Sequence, residues 1–594
     1  MDSTKEYLDG MKLDYLTFSP YDYALFGGML LVSALVGVYF GCYKKQKTGN
    51  DYLLGGRTMG VFPIATSLAA TYLSAITLLS MPAEVYTYGT QYAMSCFGCL
   101  IATVIIGCAF LPVFYDLQLT SSYEYLELRF CKNVRLTTSF FFILDCILYM
   151  PIVMYVPSLA LNSVTGIEIK YINPVVCFVC IFYTTLGGLK AVVWTDTIQF
   201  VIMNGTIFVI LLLGISNEGG LTKIWTNAET QDRIHFFDFD FDLTKRVSFW
   251  TVTLGMCCNW ISSLGVNQLC IQRFLSVPSI ADAKKVLYIF SIAIVIIEAL
   301  CLFSGLIMFS RYYGCDPLTA GVIARSDQIL PYYVMDTTRN IPGLPGLFIA
   351  GVFSAALSSM SSMLNTTSGV IYSDFICLIF PKESTEKNAS NIMKLIVVVV
   401  GTVTMSMVFI VEKLGSILQV SVSFSGVTNG AMLGVFVMGM IFPRANSKGT
   451  ITGAFASILF MSWMLYGNSM AISSGAVKYP AKSFAMDQCD SSINITSISA
   501  VVSELEATTP PEVYFLHRIS FMWNSLMGTL AVFLVGLPVS YLTSPPSASQ
   551  TKLEYFSPIV RGFLSDNIKQ KIRAPKEEEA QYKQVETTKE NAVE

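Results

Sequence analysis

The chain has 594 residues, 53% of them hydrophobic and only 13% charged, with a formal net charge of −3. A soluble protein carries roughly 25% charged residues, so the composition excludes an ordinary water-soluble domain, and the slightly acidic balance excludes a nucleic-acid partner. Two histidines, His235 and His517, both in polar stretches, leave little for histidine catalysis or a zinc site.

The first twenty residues hold Asp2, Glu6, Asp9 and Asp14 and no basic lead-in to a cleavage site, so they read as an extracellular N-terminus (1–20) and not as a signal peptide. From residue 21 onward, apolar runs recur that are long enough to cross a hydrocarbon core of about 30 Å. Barrel strands would be shorter and would alternate polar with apolar, and backbone satisfaction in lipid then forces helices. The sequence therefore predicts an all-α integral membrane protein in a lipid bilayer with about thirteen transmembrane helices. They fall near 21–42, 61–84, 93–115, 137–161, 172–188, 195–215, 248–270, 286–310, 345–378, 391–411, 416–441, 449–468 and 520–543.

Lys and Arg cluster in alternate short loops. Lys44, Lys45, Lys47 and Arg57 follow the first span, Arg129, Lys132 and Arg135 the third, and Lys190 the fifth. Arg273, Lys284 and Lys285 follow the seventh, and Arg444 and Lys448 the eleventh. The intervening loops are nearly bare, so the N-terminus is expected outside and the C-terminus in the cytoplasm. Three long loops, near 216–247, 311–344 and 469–519, then fall outside. The last holds the sequon at Asn494, the expected glycosylation site. Similar patterns at Asn204 and Asn365 lie inside spans and are set aside. Of the fifteen cysteines, Cys315 and Cys489 are the two in predicted external loops and form the candidate disulfide. The others read as buried thiols packing as small apolar groups. The segment 545–594 begins Pro/Ser-rich, becomes highly charged, and reads as a cytoplasmic, partly disordered tail.

Transporters hold substrate near the midplane, where helices are interrupted and backbone groups become free. Two spans look interruptible. The second, SLAATYLSAITLLSMPAE (67–84), has a Ser/Ala/Thr-rich centre and Pro82. The seventh, MCCNWISSLGVNQ (256–268), has Ser262, Ser263 and Gly265 in mid-run. Five spans separate them, the spacing of two five-helix halves of opposite topology. Small residues in spans also make packing surfaces, so this pattern alone leaves both readings open. Asp145 and Glu298 are ionisable groups inside spans and mark candidate functional positions. The run FFDFDFD (236–242) reads as a solvated ribbon or loop at the membrane edge.

The motifs go further. GGRTMGVFPIATSLAATYLSA (55–75), GGLKAVVWTD (187–196), GVNQLCIQRF (265–274) and PGLPGLFIAGVFSAALSSMSSMLN (342–365) resemble the signatures of the sodium/solute symporter family. SMPAEVYTYGTQY (80–92) and LTSSYEYLELRF (119–130) favour the branch of iodide, monocarboxylate and multivitamin cotransporters over the glucose cotransporters. The resemblance covers about residues 20–470. It implies a LeuT-type 5+5 inverted repeat: a first peripheral helix (21–42), a ten-helix core (60–441, halves 60–215 and 248–441), and two peripheral helices (449–543) around loop 469–519.

Ala355, Ser358 and Ser359 are spaced i, i+3 and i+4, so one helix face presents two hydroxyls and a carbonyl. Hard cations take oxygen ligands of this kind. The family pattern adds the carbonyls of Ala70 and Leu73 at the break of the second span, and Asp196 as a nearby acid, as the sodium-binding set. The competing reading makes both serines packing residues that bond their own helix. By the same resemblance the substrate positions are Ser74, Ile76, Thr77, Cys99, Tyr149, Trp260, Gln419, Ser421 and Val422. That lining is mostly apolar, with hydroxyls, one amide and no Lys or Arg. It suits a small, partly apolar organic anion resting on hydroxyls, half-helix amides and co-bound sodium. The iodide pattern has Gln where this chain has Thr77 and Cys99, and Phe at Val422, which disfavours iodide. Thr77 resembles the monocarboxylate branch.

The resemblance thus implies a plasma-membrane symporter in which sodium, as co-transported ligand with no further cofactor, drives import of small organic anions, monocarboxylates first. A multivitamin (biotin, pantothenate) carrier is the alternative, and a solute-sensing or leak channel is the alternative of a different class. No nucleophile–base pair, metal cluster or nucleotide loop marks an enzyme.

Overall fold

The computed structural model describes residues 18–43, 59–117, 119, 121–338, 341–379, 382–411, 417–484, 513–543, 545–546 and 551–563. Asn494 and Cys489 lie outside the described residues. Cys315 is disulfide-bonded, and thirteen other cysteines are free thiols.

Among the described residues, ten helices are long and apolar enough to cross a membrane, and one further pair of helices forms a bent span. The first is α1 (Pro20–Val38). Ser19 and Asp22 cap it reciprocally, and Pro20 occupies its first turn, where a missing N–H costs nothing. Asp22 also accepts the Gly346 N–H at 2.8 Å, tying the start of α1 to a much later helix. The bent span is α2 (Val61–Tyr72) with α3 (Ala75–Tyr88), whose axes turn by 55°. There follow α4 (Ser95–Ile105), α5 (Lys132–Thr165) and α6 (Ile169–Asn217).

The sequence predicts two spans, 172–188 and 195–215, and the structure has two helices joined at Gly188 without the loop expected between them, together the 49 residues of α6. A straight helix of that length would run about 73 Å, more than twice the hydrocarbon thickness. Gly188 (φ 55, ψ −160) divides it instead, in a conformation that only glycine adopts without strain. The predicted loop around Lys190 is therefore helical. The expected seventh span is α7 (Met256–Gly265) and α8 (Gln268–Phe274), split at Val266–Asn267, a few residues past the Ser/Gly cluster that marked it. Asn267 caps α8 by accepting from Leu269 N–H at 2.9 Å.

The remaining helices are α9 (Ile280–Arg311), α10 (Leu344–Ile371), α11 (Lys382–Val411), α12 (Ile417–Ile441), α13 (Ser447–Ser473) and α14 (Asn524–Leu542). α10 is the hub: 94% of its apolar window is buried, against 17% for α1. It packs on α1, α2, α5, α6 and α8. α13 and α14 pack on one another and on α12, and glycines bring them close. A Cβ on Gly430 of α12 would stand 2.8 Å from the Ser525 carbonyl. Two interrupted spans, five apart in order, around a buried small-residue helix give the LeuT-type architecture.

Two expectations about charge change. Arg129 and Arg273 read as loop cations, yet both are buried. Arg129 donates to the carbonyls of Gly439, Phe442 and Pro443 at 3.0–3.3 Å, capping a helix end, and its guanidinium lies over the Phe556 ring. A long side chain can carry its charge into backbone oxygens, which a count of loop charges does not see. Residues 551–563 of the tail are also fastened to the core, with Ser557 N–H donating to Met440 O at 3.0 Å and Arg561 pairing with Asp116. The aromatic–acid run is extended coil with Phe237, Phe239 and Phe241 exposed, as expected of a solvated ribbon.

Candidate functional site

The break between α2 and α3 follows from where the hydrogen-bond ladder stops. The Leu73 N–H reaches Ala69 O at 2.9 Å, and the next half opens with Leu78 N–H to Ser74 O at 3.2 Å. The last four carbonyls of a helix have no partner in their own ladder, so those of Ala70, Thr71, Tyr72 and Leu73 are released at mid-depth. Opposite them lies α10. The Ser359 hydroxyl donates to Thr71 O at 2.7 Å and also lies 3.1 Å from Ala355 O on its own helix. Ser358 does not back-bond but donates to Asp196 Oδ1 at 2.7 Å. Ala70, Leu73, Ala355, Ser358, Ser359 and Asp196 are all buried.

Asp196 is the centre of a wider knot. Its Oδ2 accepts from Ser67 (2.7 Å), Ser362 (3.2 Å) and Thr71 (3.5 Å), and faces Arg273 at 3.5 Å. Arg273, on α8, donates to Ser67, Thr71 and Ser362 at 3.2, 3.1 and 2.5 Å and to Leu269 O at 2.9 Å. The two interrupted spans, α6 and α10 thus meet at one buried carboxylate ringed by hydroxyls.

On the other side of the break, the Tyr149 hydroxyl of α5 interacts with the side chains of Ser74 and Ser421. Trp260 of α7 lies against Tyr72 with ring centroids 6.1 Å apart, and its indole N–H is buried with no partner among the described residues. Tyr72 itself donates to Ser263 O at 2.5 Å. A further ion pair closes the site toward the long loops. Arg246 grips Glu84 of α3 through two bonds of 2.9 Å, and its remaining nitrogen is 3.4 Å from Gln419 Oε1.

The sodium:solute symporter family model matches residues 52–457. Over 530 residues the chain is 37% identical to sodium-coupled monocarboxylate transporter 2 of Mus musculus, covering 89% of this chain and 84% of that protein. The chain belongs to the sodium:solute symporter family. It is also 37% identical over 537 residues to sodium-coupled monocarboxylate transporter 1 of Homo sapiens, covering 89% and 88% of the two chains. Against the sodium-dependent multivitamin transporter of Oryctolagus cuniculus it is 37% identical over 534 residues, covering 89% and 83%. Its fold superposes with TM-score 0.73 and 26% identity on the substrate-bound outward-open state of a Na+-coupled sialic acid symporter, covering 89% and 99%. Family membership makes the protein a multi-pass, sodium-coupled membrane transporter and not an enzyme.

Within this symporter the sequence-derived positions fall into four groups. The sodium set converges on the break. Tyr149 lies near the side chains of Ser74 and Ser421, with Trp260 against Tyr72. Gln419 sits higher, beside Arg246, so a cation does border the lining that the sequence read as free of Lys and Arg. Ile76, Thr77 and Cys99 are buried, and Val422 is half-buried, on helices that pack around α7 and α3. Among the described residues no direct polar contact joins them to Tyr149. Asp145 is held by Thr428 Oγ1 at 2.6 Å, and Glu298 lies beside Cys96. Sequence reasoning missed Ser67, Thr71, Ser362, Glu84 and Arg246. Glu84 carried a readable signal, since it is an acid inside the same span as Pro82.

Proposed function

We propose that this symporter imports small organic anions, monocarboxylates foremost, across the plasma membrane, with sodium moving down its gradient through the same site. The N-terminus is outside and the long-loop face is the outer one. Sodium takes the released carbonyls of Ala70 and Leu73 with Ala355 O and the hydroxyls of Ser358 and Ser359, and Asp196 strengthens the field. The observation that carries this reading is the run of released carbonyls at Ala70–Leu73 set against the Ser358–Ser359 ridge. A cation there is ringed by oxygen, whereas an empty ring leaves carbonyl dipoles facing one another.

The carboxylate lies beside the same break. Ser74, Tyr149 and Ser421 donate to it, the N-terminal amides of α3 face it, and Trp260, Ile76, Cys99 and Val422 contact its alkyl part. Thr77 distinguishes this lining from an iodide site. Sodium and carboxylate share one cavity, so each lowers the electrostatic cost of the other, which is the coupling. Alternating access then follows as the halves of the broken spans tilt.

Tracer uptake in oocytes tests this. Lactate should accumulate above its external concentration in sodium and not in choline. Equal uptake in choline would overturn sodium coupling, and equilibration without accumulation would favour the leak-channel class. The multivitamin reading stands beside it because the identity to the Oryctolagus cuniculus multivitamin transporter equals that to the monocarboxylate transporters. Biotin uptake exceeding lactate uptake would decide for it.

A further inference from the structure

The long-loop face opens into a cavity of about 550 Å³ that lies above the Glu84–Arg246 pair and not at the helix break. Its lining carries five basic side chains, Lys245, Arg246, Lys478, Lys482 and Arg518, against two acids, Asp232 and Asp238. Lys245 pairs with Asp238 and Asp240, Lys482 with Asp232, and Arg246 with Glu84. Asp242 lies within electrostatic reach of Arg518, but no ion pair joins them. Of these five, Lys478 and Arg518 are the two for which no carboxylate partner is found among the described residues, and both are exposed.

The wall that presents Lys478 is fastened in place. Lys482 N–H donates to Thr87 O at 3.0 Å, Arg233 donates to Ser483 O at 2.8 Å, and Phe484 stacks on Tyr86 with centroids 5.3 Å apart. The floor is Arg246, whose guanidinium lies over the rings of Tyr88 and Tyr479, 4.4 and 5.2 Å from their centroids. Beneath it is Gln419.

We propose that this cavity is a second, outer anion site. There Lys478 and Arg518 hold the carboxylate of an incoming small organic acid while the Glu84–Arg246 pair is still closed. The proposal rests on the organic-anion reading above. With the paired charges cancelling, Lys478 and Arg518 leave a local cationic surplus that Asp242 offsets in part, and such a surplus concentrates anions and raises their rate of arrival. A guanidinium binds a carboxylate through two parallel bonds, and Tyr88, Tyr479, Val477 and Pro480 offer apolar contact to the acid's carbon chain. That contact favours an organic acid over chloride. The volume lies in the range of small-molecule sites and admits acids larger than lactate. Arg246, at the floor, then meets the same carboxylate. When Arg246 exchanges Glu84 for it, the anion passes to the level of Gln419.

Uptake by the full chain tests the site in two arms. Changing Lys478→Gln together with Arg518→Gln should raise the apparent KM for lactate roughly three- to tenfold, as expected for lost steering charge. Maximal rate and half-saturating sodium should stay unchanged, and the pair Lys478→Arg with Arg518→Lys should restore KM. An unchanged KM with intact lactate uptake overturns the outer site and leaves the transport reading standing. The second arm needs no transport. Cysteine introduced by Ala476→Cys, on the cavity wall, is labelled from outside with a charged thiol reagent. Butyrate should slow labelling severalfold, and chloride at equal concentration should not. Equal slowing by both, or by neither, overturns the proposal. If the unmodified chain takes up no carboxylate, the functional reading fails by itself, and the labelling arm still decides the cavity.

Discussion

The broken helix is held by two ion pairs of opposite design. At the outer end, Glu84 and Arg246 meet through a planar fork, two bonds of 2.9 Å, with aromatic rings stacked over the guanidinium. Beside the break, Asp196 and Arg273 stand 3.5 Å apart, and most of their bonding goes instead to Ser67, Thr71, Ser358 and Ser362. A fork concentrates its strength in one pair and lets go all at once. A charge shared among hydroxyls can trade one cation for another, because each hydroxyl turns from donor to acceptor as needed. The outer pair therefore suits a latch, and the inner knot suits a place where a positive charge comes and goes.

The largest expected effect comes from unbalancing the inner knot. Arg273→Gln leaves Asp196 buried without a counter-charge, a loss of about 3–5 kcal/mol. Surface biotinylation should show expression falling at least tenfold, since that energy corresponds to a factor of about a hundred or more in a folding equilibrium. Adding Asp196→Asn should recover most of the protein at the surface without recovering sodium dependence. If the single change is harmless, the hydroxyls alone carry the charge and the contrast with the outer fork is sharper still.

Next is Ser359→Ala, which removes one hydroxyl from the sodium set. Half-saturating sodium should rise about tenfold, on the order of 1.4 kcal/mol, with surface expression kept. Unchanged sodium dependence in uptake assays would take Ser359 out of the site. At the outer end, replacing both partners, Glu84→Gln with Arg246→Gln, should cost little stability, since neither charge is left alone. It should speed labelling of a Ser74→Cys reporter from outside by roughly fivefold, a shift of about 1 kcal/mol in the latch equilibrium. Equal rates would mean the fork does not latch. Between the two pairs, Tyr149→Phe should raise the KM for substrate several-fold, about 1 kcal/mol for one hydrogen bond, with half-saturating sodium nearly unmoved.

The smallest effect concerns acid. The hydrogen bond from Lys482 holds the Asp232 carboxyl below its ordinary range. A group depressed in the folded state contributes stability that is present above its unfolded pKa of about 3.9 and is lost as pH falls through the folded value. The protection that butyrate gives Ala476→Cys, taken as a ratio of labelling rates at one pH so that the thiolate fraction cancels, should therefore be the same at pH 5.5 and pH 7.5 as far as Asp232 is concerned; His235 also lines the cavity. A change across that window would implicate a different group.

Much of this was legible in the sequence because lipid leaves the backbone few options. Thirteen apolar runs, Pro82 beside a Ser/Ala/Thr centre, and the i, i+3, i+4 spacing of Ala355, Ser358 and Ser359 are local signals, and the structure brings that face to the break. What was not legible depends on partners far along the chain. Arg273 and Arg129 look like any loop cation until α10 or residues 551–563 close over them. Glu84 was readable as an acid inside a span, but its partner, 162 positions away, was not. The second break lies past its glycine because Asn267 supplies the cap, and a cap outranks a small residue in deciding where a helix restarts. That the two halves of α6 meet at Gly188 with no loop between them is a matter of one residue's backbone angles, which hydropathy does not encode.

The Tyr72 hydroxyl has one more consequence. It closes the last turn of α2 and reaches the Ser263 carbonyl near the end of α7, so one short strut joins both interrupted spans. A tilt at either break must therefore carry this bond with it or break it, at a cost of about 1 kcal/mol.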